Sequence, residues 1–117
     1  MQANGKTFTQ EVSSGATLAG SALNLGGHTW RNVSLEVPSF TSGGTMYIHG
    51  AVGSDGNFHR VYVMDPADGA QNVLQISQAS SVGGHYHLPQ LSTFDYLKIE
   101  LTSGITDSVT TFKWHVS

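Results

Sequence analysis

The feature that most constrains the fold is the spacing of the apolar residues. They return at every second position and hardly anywhere with the period of about 3.6 that an amphipathic helix requires. In "TWRNVSLEV", Val33, Leu35 and Val37 point one way, and Asn32, Ser34 and Glu36 the other. "TMYIHGAV" sets Met46, Ile48 and Val52 against Tyr47 and His49. "FHRVYVMD" places Phe58, Tyr62 and Met64 on one face, with His59, Val61 and Val63 opposite. "FDYLKIEL" opposes Leu97, Ile99 and Leu101 to Tyr96, Lys98 and Glu100. "TFKWHVS" turns Phe112, Trp114 and Val116 inward and Lys113 and His115 outward. Such alternation marks a strand with one face on a core and the other on water.

Weaker runs of the same kind are "KTFTQEV", "SALNLGG", "NVLQISQ" and "GHYHL". Between the runs stand Gly26-Gly27, "SFTSGGT", "SDGN", "DPADG", Gly83-Gly84 and "TSGITDS", all breaker sequences. Asp-Gly in "SDGN" supplies positive φ readily and predicts a tight hairpin. In "DPADG" the proline sets φ and Gly69 closes the turn. The reading is eight or nine short strands and no helix, an all-β chain. Its expected architecture is an antiparallel β-sandwich of jelly-roll type, since eight strands in two sheets is the jelly-roll number. Residues 1–117 read as one domain, and 1–15, polar and glycine-punctuated, as a candidate extended N-terminal arm.

Charge narrows the function. Five basic and eight acidic residues give a net charge of −3, and only 11% of the 117 residues are charged. About 25% is usual. The five cations, Lys6, Arg31, Arg60, Lys98 and Lys113, are scattered, so no footprint for nucleic acid or anionic lipid forms. A surface built from Ser, Thr, Gly, Asn and Gln suits contact with other protein, because charge is depleted at interface cores. A sugar-binding surface can be similarly neutral. The absence of cysteine excludes a disulfide framework, a thiolate zinc site and a cysteine nucleophile. "MQANGKTFTQ" has neither a basic n-region nor an apolar h-region, so a secretory leader is not expected. No apolar run approaches the roughly 18 residues of a membrane span.

Few residues invite chemistry. His85 and His87 flank Tyr86 on a strand, which puts both imidazoles on one face about 7 Å apart. Two imidazoles are half a metal site, and no Asp or Glu at ligand spacing lies nearby to complete it. The plainer reading is a pair of exposed strand histidines after a Gly-Gly turn. His28, His49, His59 and His115 complete a high histidine count, and a cluster of them at a subunit interface would make assembly pH-sensitive. Of the three glutamates, Glu36 and Glu100 lie on polar strand faces rather than across a cleft, as glycoside hydrolysis would need. Asp65 and Asp68 are explained by a turn and lack the EF-hand spacing. No nucleophile elbow, P-loop or dinucleotide fingerprint occurs. The chain is therefore expected not to be an enzyme and to need no cofactor or metal. Trp30, Tyr47, Tyr86 and Tyr96 could stack sugar rings or anchor a protein partner, and sequence does not separate the two.

In "LPQLSTFDYLKIELTSGITDSVTTFKWHVS" the chain resembles the C-terminal halves of small virion structural proteins of tailed bacteriophages. The matching positions are Leu88-Pro89, Phe94, Tyr96-Leu97-Lys98 and Thr111-Phe112-Lys113-Trp114. Many such proteins carry a cysteine near "F-K-x-x-C", where this chain has Val116. The resemblance implies a capsid decoration (cement) protein, a β-sandwich homotrimer that binds the major capsid protein or other virion proteins and stabilises the head. Its location would be the virion, after synthesis in the host cytoplasm. On that reading a trimer interface is expected on polar faces carrying Tyr47, His49 and Tyr86, with His85 and His87 interfacial. Capsid contact is expected from residues 1–15. The alternative is a carbohydrate- or receptor-binding β-sandwich module of a phage tail or fibre. A cupin-type metalloenzyme ranks last, because "GSDGNFH" does not supply a second histidine motif.

Overall fold

The computed structural model describes residues 5–12, 18–26, 30–39, 44–53, 57–64, 67–78, 83–101 and 110–117. Among these residues there are eleven strands: β1 (Lys6–Val12), β2 (Leu23–Asn24), β3 (Val33–Val37), β4 (Gly44–Ala51), β5 (His59–Arg60), β6 (Tyr62–Met64), β7 (Gln71–Val73), β8 (Gln75–Gln78), β9 (Gly84–His87), β10 (Tyr96–Leu101) and β11 (Thr110–Val116). A 3-10 turn spans Pro89–Thr93, and no α-helix occurs among the described residues. The pairing is nested and antiparallel. β1 pairs with β11, β2 with β10, β3 with β9, and β4 with both β5 and β8. Nested pairs of this kind are a long hairpin wrapped on itself. The result is one sheet ordered β1-β11-β3-β9, facing another in which β2, β10 and β4 are followed by β5 and β8 side by side along one edge. This is a β-sandwich with jelly-roll strand order.

Every run that the alternation singled out forms a strand. The count rises to eleven because two runs break. β8 pairs with Gly44–Tyr47 of β4, and β5 with His49 and Gly50. At the junction the Val61 N–H donates to the Ile48 carbonyl (2.9 Å), and the Leu74 N–H to the Val61 carbonyl (2.8 Å). These bonds mark where β6 and β7 leave the sheet to pair with each other. Val61 is buried at the junction. Gly69 closes the hairpin turn at φ 73°, and Asp68 accepts the Ala70 N–H at 2.9 Å. The tip of the "SDGN" hairpin lies outside the described residues.

The core is what the alternation requires. Phe112, Trp114 and Val116 of β11 and Val33 and Leu35 of β3 meet Met46 and Ile48 of β4 and Leu97 and Ile99 of β10, all fully buried. Each contributes about 1.5–3 kcal/mol on removal from water. Leu88 and Leu91 close one end from the 3-10 turn. Val52 is a correction. It shares the parity of Met46 and Ile48, yet it is 68% exposed, because the strand ends at Ala51 and Gly53, at φ 81°, turns the chain away. Gly50 allows a close approach, since a Cβ there would lie 2.6 Å from the Phe94 ring.

The described part of the N-terminal segment is a strand. Residues 6–12 pair with β11 along their whole length, from Lys6 opposite Val116 to Val12 opposite Thr110. They form an edge strand of the sandwich; residues 1–4 and 13–15 of the expected arm lie outside the described residues. Their inward face carries a buried amide. Gln10 donates from Nε2 to the carbonyls of Ser21 and Leu97, both at 2.9 Å. Its Oε1 accepts the Ile99 N–H at 3.1 Å and the Trp114 Nε1–H at 3.3 Å. β2 pairs with β10 only at Tyr96 and Leu97, and Ala19 reaches β10 again through the Ile99 carbonyl. The Gln10 side chain fills the gap as a substitute peptide unit and ties the two sheets together.

Candidate interaction surfaces

On the outer face of the first sheet the register lays polar residues in rows. His115 stands opposite Ser34, which stands opposite His87; Lys113, Glu36 and His85 form the next row. Thr7 and Thr9 extend the rows onto β1. His85, His87 and His115 are all exposed. Their side-chain bonds are peripheral: Thr7 Oγ1 to His115 Nδ1 at 3.0 Å, and Ser34 Oγ to His87 Nδ1 at 3.4 Å. Thr7, Ser34, Glu36, His85, Lys113 and His115 line a shallow depression of about 350 Å³. Among the described residues no group of three or more His, Asp or Glu side chains is placed to hold a metal ion.

The outer face of the second sheet is built differently. β4 contributes Tyr47 and His49, β10 contributes Lys98 and Glu100, and β5 contributes Arg60. Glu100 accepts Arg60 Nε and Nη2, each at 2.9 Å, and meets His49 Nε2 at 2.7 Å. The guanidinium lies over the Tyr47 ring, 3.9 Å from its centroid, and Lys98 Nζ lies 4.7 Å from that of Phe58. The Arg60 hydrogen bonds hold the Glu100 carboxyl far down, at about 2 against an ordinary 4.5; partial burial opposes this and the His49 bond assists it. Glu100 in turn raises the Arg60 pKa. His49 Nδ1 is buried and has no hydrogen-bond partner among the described residues. The face continues onto the hairpin, where Tyr62 and Met64 are 59% and 62% exposed.

The expected interface residues are thus divided. Tyr47 and His49 stand together on the second sheet, while His85 and His87 stand on the first, across the core. Tyr86 does not lie on a polar face. Period two turns it inward, where it packs, half-buried, against the core, as Trp30 does. Trp30 donates from Nε1 to the Leu25 carbonyl at 2.9 Å. Sequence reasoning reads Glu100 as a carboxylate on a polar strand face and Arg60 as one of five scattered cations, and does not bring the two together. The available signal was that Arg60 shares the parity of Phe58, Tyr62 and Met64.

No family model matches the sequence, and no curated protein matches it. Among solved structures the chain is similar to the SPBc2 prophage-derived protein YomS, with a TM-score of 0.62 at 12% identity. The match covers 97% of this chain and 94% of that one, so it extends over nearly the whole sandwich, and the likeness is one of fold.

Proposed function

We propose that this is a bacteriophage structural protein that works by binding other virion proteins, as a capsid decoration protein does. The observation that carries the phage association is the fold likeness to a prophage-derived protein over 97% of this chain. The surfaces favour binding over catalysis. The ordered cluster of the second sheet joins arginine to aromatic rings, the residue types that dominate interface energetics, and it continues into exposed Tyr62 and Met64. Its carboxylate is committed to Arg60 and His49 and held ionised, which suits it to positioning rather than to proton transfer. Among the described residues neither face presents a paired acid and base across a cleft. The mechanism is mechanical: an oligomer spanning neighbouring capsid subunits multiplies weak contacts into firm attachment.

The test is co-sedimentation of the purified protein with particles of the phage that encodes it, alongside its solution mass by light scattering. Saturable binding by a trimer is expected; a monomer that ignores the particles sinks the reading. A glycan-binding tip is the second reading, favoured by the exposed ring of Tyr62, and a glycan array tests it.

A further inference from the structure

We propose that copies of this chain join head to tail along the first sheet, with β9 of one copy taking β1 of the next as its neighbouring strand. This rests on the proposed reading of the protein as a virion oligomer and says where its copies meet.

Both edges of the first sheet are uncovered. Among the described residues β1 pairs only with β11, and β9 only with β3. The second sheet offers nothing comparable. β2 is two residues long, and the opposite edge of that sheet is broken where β6 and β7 leave it. In the first sheet each strand is antiparallel to the next, so β1 and β9, its first and last, run in opposite directions. A copy turned about an axis along the strands keeps its strand direction and presents β1 antiparallel to β9. Head-to-tail contacts of this kind close into rings.

The free backbone groups of the two edges are in phase. Asn32 and Ser117 exchange N–H···O bonds at 3.0 and 3.1 Å, and the Leu88 N–H donates to the Val33 carbonyl at 2.7 Å. Bonded and non-bonded pairs alternate along an antiparallel ladder. The alternation therefore directs the backbone groups of Phe8 and Gln10 toward β11, and those of Gly84 and Tyr86 toward β3. The groups that point off the open edges belong to Thr7, Thr9 and Glu11 on β1 and to His85 and His87 on β9. Extending the rows of the sheet sets His87 opposite Thr7 of the next copy and His85 opposite Thr9. Both are pairs of the kind that exchange N–H···O bonds in each direction, so the ladder continues without a change in either strand.

The side chains match in the same register. Inward, Tyr86 comes opposite Phe8 of the next copy; these are the aromatics of the two edge strands, each half-buried against the core. A cross-strand aromatic pair contributes beyond the area it buries. Gly84, without a side chain, comes opposite Gln10, whose amide is already bonded inward. Charge on an edge strand guards it against pairing. Here the charges of β1 fall outside the contact: Lys6 and Glu11 come opposite Leu88 and Gly83, beyond the ends of β9. Residues 7–10 between them are uncharged and have the length of β9. Across the junction the second row reads Glu36, His85, Thr9 and Lys113, with its two fixed charges opposite in sign. A two-fold pairing of β1 with itself leaves β9 and half-buried Tyr86 uncovered, whereas the head-to-tail contact covers both edges at once.

The experiment uses the full-length protein, which has no cysteine of its own. In Thr9→Cys/His85→Cys the two thiols of one chain stand on opposite edges of the sheet, about 14 Å apart and too far to bond. Between joined copies their Cα atoms come to about 5.5 Å, a disulfide separation. Mild oxidation is expected to link most chains of the double variant into covalent oligomers on a non-reducing gel, and neither single variant. Thr9→Pro removes an N–H from the open edge and leaves the ladder with β11 intact. Circular dichroism checks its fold, and its solution mass by light scattering is expected to fall to that of one chain. A folded Thr9→Pro protein of wild-type mass overturns the inference. So does a double variant that stays unlinked, or a wild type with the mass of one chain. Linking in Thr9→Cys alone makes the contact a two-fold pairing of β1 and overturns it too. Co-sedimentation with phage particles separates the two readings: a single chain that binds them saturably sinks this inference and leaves the virion reading standing. Linked oligomers that ignore the particles sustain the inference and sink the virion reading.

Discussion

The two outer faces of the sandwich hold similar ingredients and use them in opposite ways. On the first sheet Glu36 and Lys113 are direct cross-strand partners, yet both stay exposed, and the ion pairs among the described residues do not include them. On the second, Glu100 and Arg60 belong to strands separated by β4, and they form a two-pronged pair across it. The difference is the surface between them. Tyr47 on β4 provides an aromatic floor on which the guanidinium lies flat, and the floor orders the long side chain before the carboxylate is reached. Beside Glu36 the neighbours are Ser34 and His85, which offer no such support. Register proximity alone therefore does not make an interaction; a long side chain needs something to lie on.

The interior seam between the sheets sets the scale for testing this contrast. Gln10→Leu fills the same space but orphans the Leu97 carbonyl, the Ile99 N–H and the Trp114 indole N–H. A cost of about 4 kcal/mol in urea unfolding is expected, because several buried polar groups lose partners together. On the faces, Glu100→Gln is expected to cost about 2 kcal/mol, and Glu36→Gln less than about 0.5 kcal/mol. Equal effects at the two glutamates would abolish the distinction between the faces.

Acid sharpens the same contrast. The folded state lowers the Glu100 pKa from 4.5 to about 2, so the unfolded chain binds the proton more readily than the folded one. The stability this confers is complete above about pH 4.5 and is lost as the pH falls toward 2. With the side chain 22% exposed, solvent screening reduces the contribution to about 2 kcal/mol. Unfolding midpoints of the wild type should fall through that window, and Glu100→Gln should remove this part of the fall. A Glu100→Gln profile parallel to the wild type across it would mean that Arg60 does not hold the carboxylate.

Sequence reasoning reached the sandwich because half-buried strands write their orientation directly into the order of residues. Leu97, Ile99 and Leu101 share one face of their strand, and that face has to be buried. The nesting itself, β1 with β11 and β2 with β10, joins strands far apart in sequence and is written in no single turn. What was not legible depends on side chains meeting across strands. Gln10 reads as one more polar residue in a weak run, and only the gap beside β10 gives it a purpose. Arg60 and Glu100 lie 40 positions apart, and nothing local announces that β4 will hold a ring between them. Tyr86 follows the parity of its strand, opposite Leu35 and against the core, while His85 and His87 on either side of it face out.

The smallest expected effects belong to the histidines of the first sheet, and they test the contrast from its quiet side. His85, His87 and His115 are exposed, with single hydrogen bonds to Ser34 and Thr7 on two of them. Alanine at each should change stability by less than about 0.5 kcal/mol, the range of surface positions away from special features. A chelator should leave the solution mass of the protein unchanged. A mass that falls on chelation would mean that imidazoles from several copies share an ion, since two from one chain leave a coordination sphere unfilled. The first sheet would then be the assembly face. The second sheet, with its Arg60–Glu100 cluster over Tyr47, would be left to face the partner alone, and the two faces would differ in their partners as well as in their chemistry.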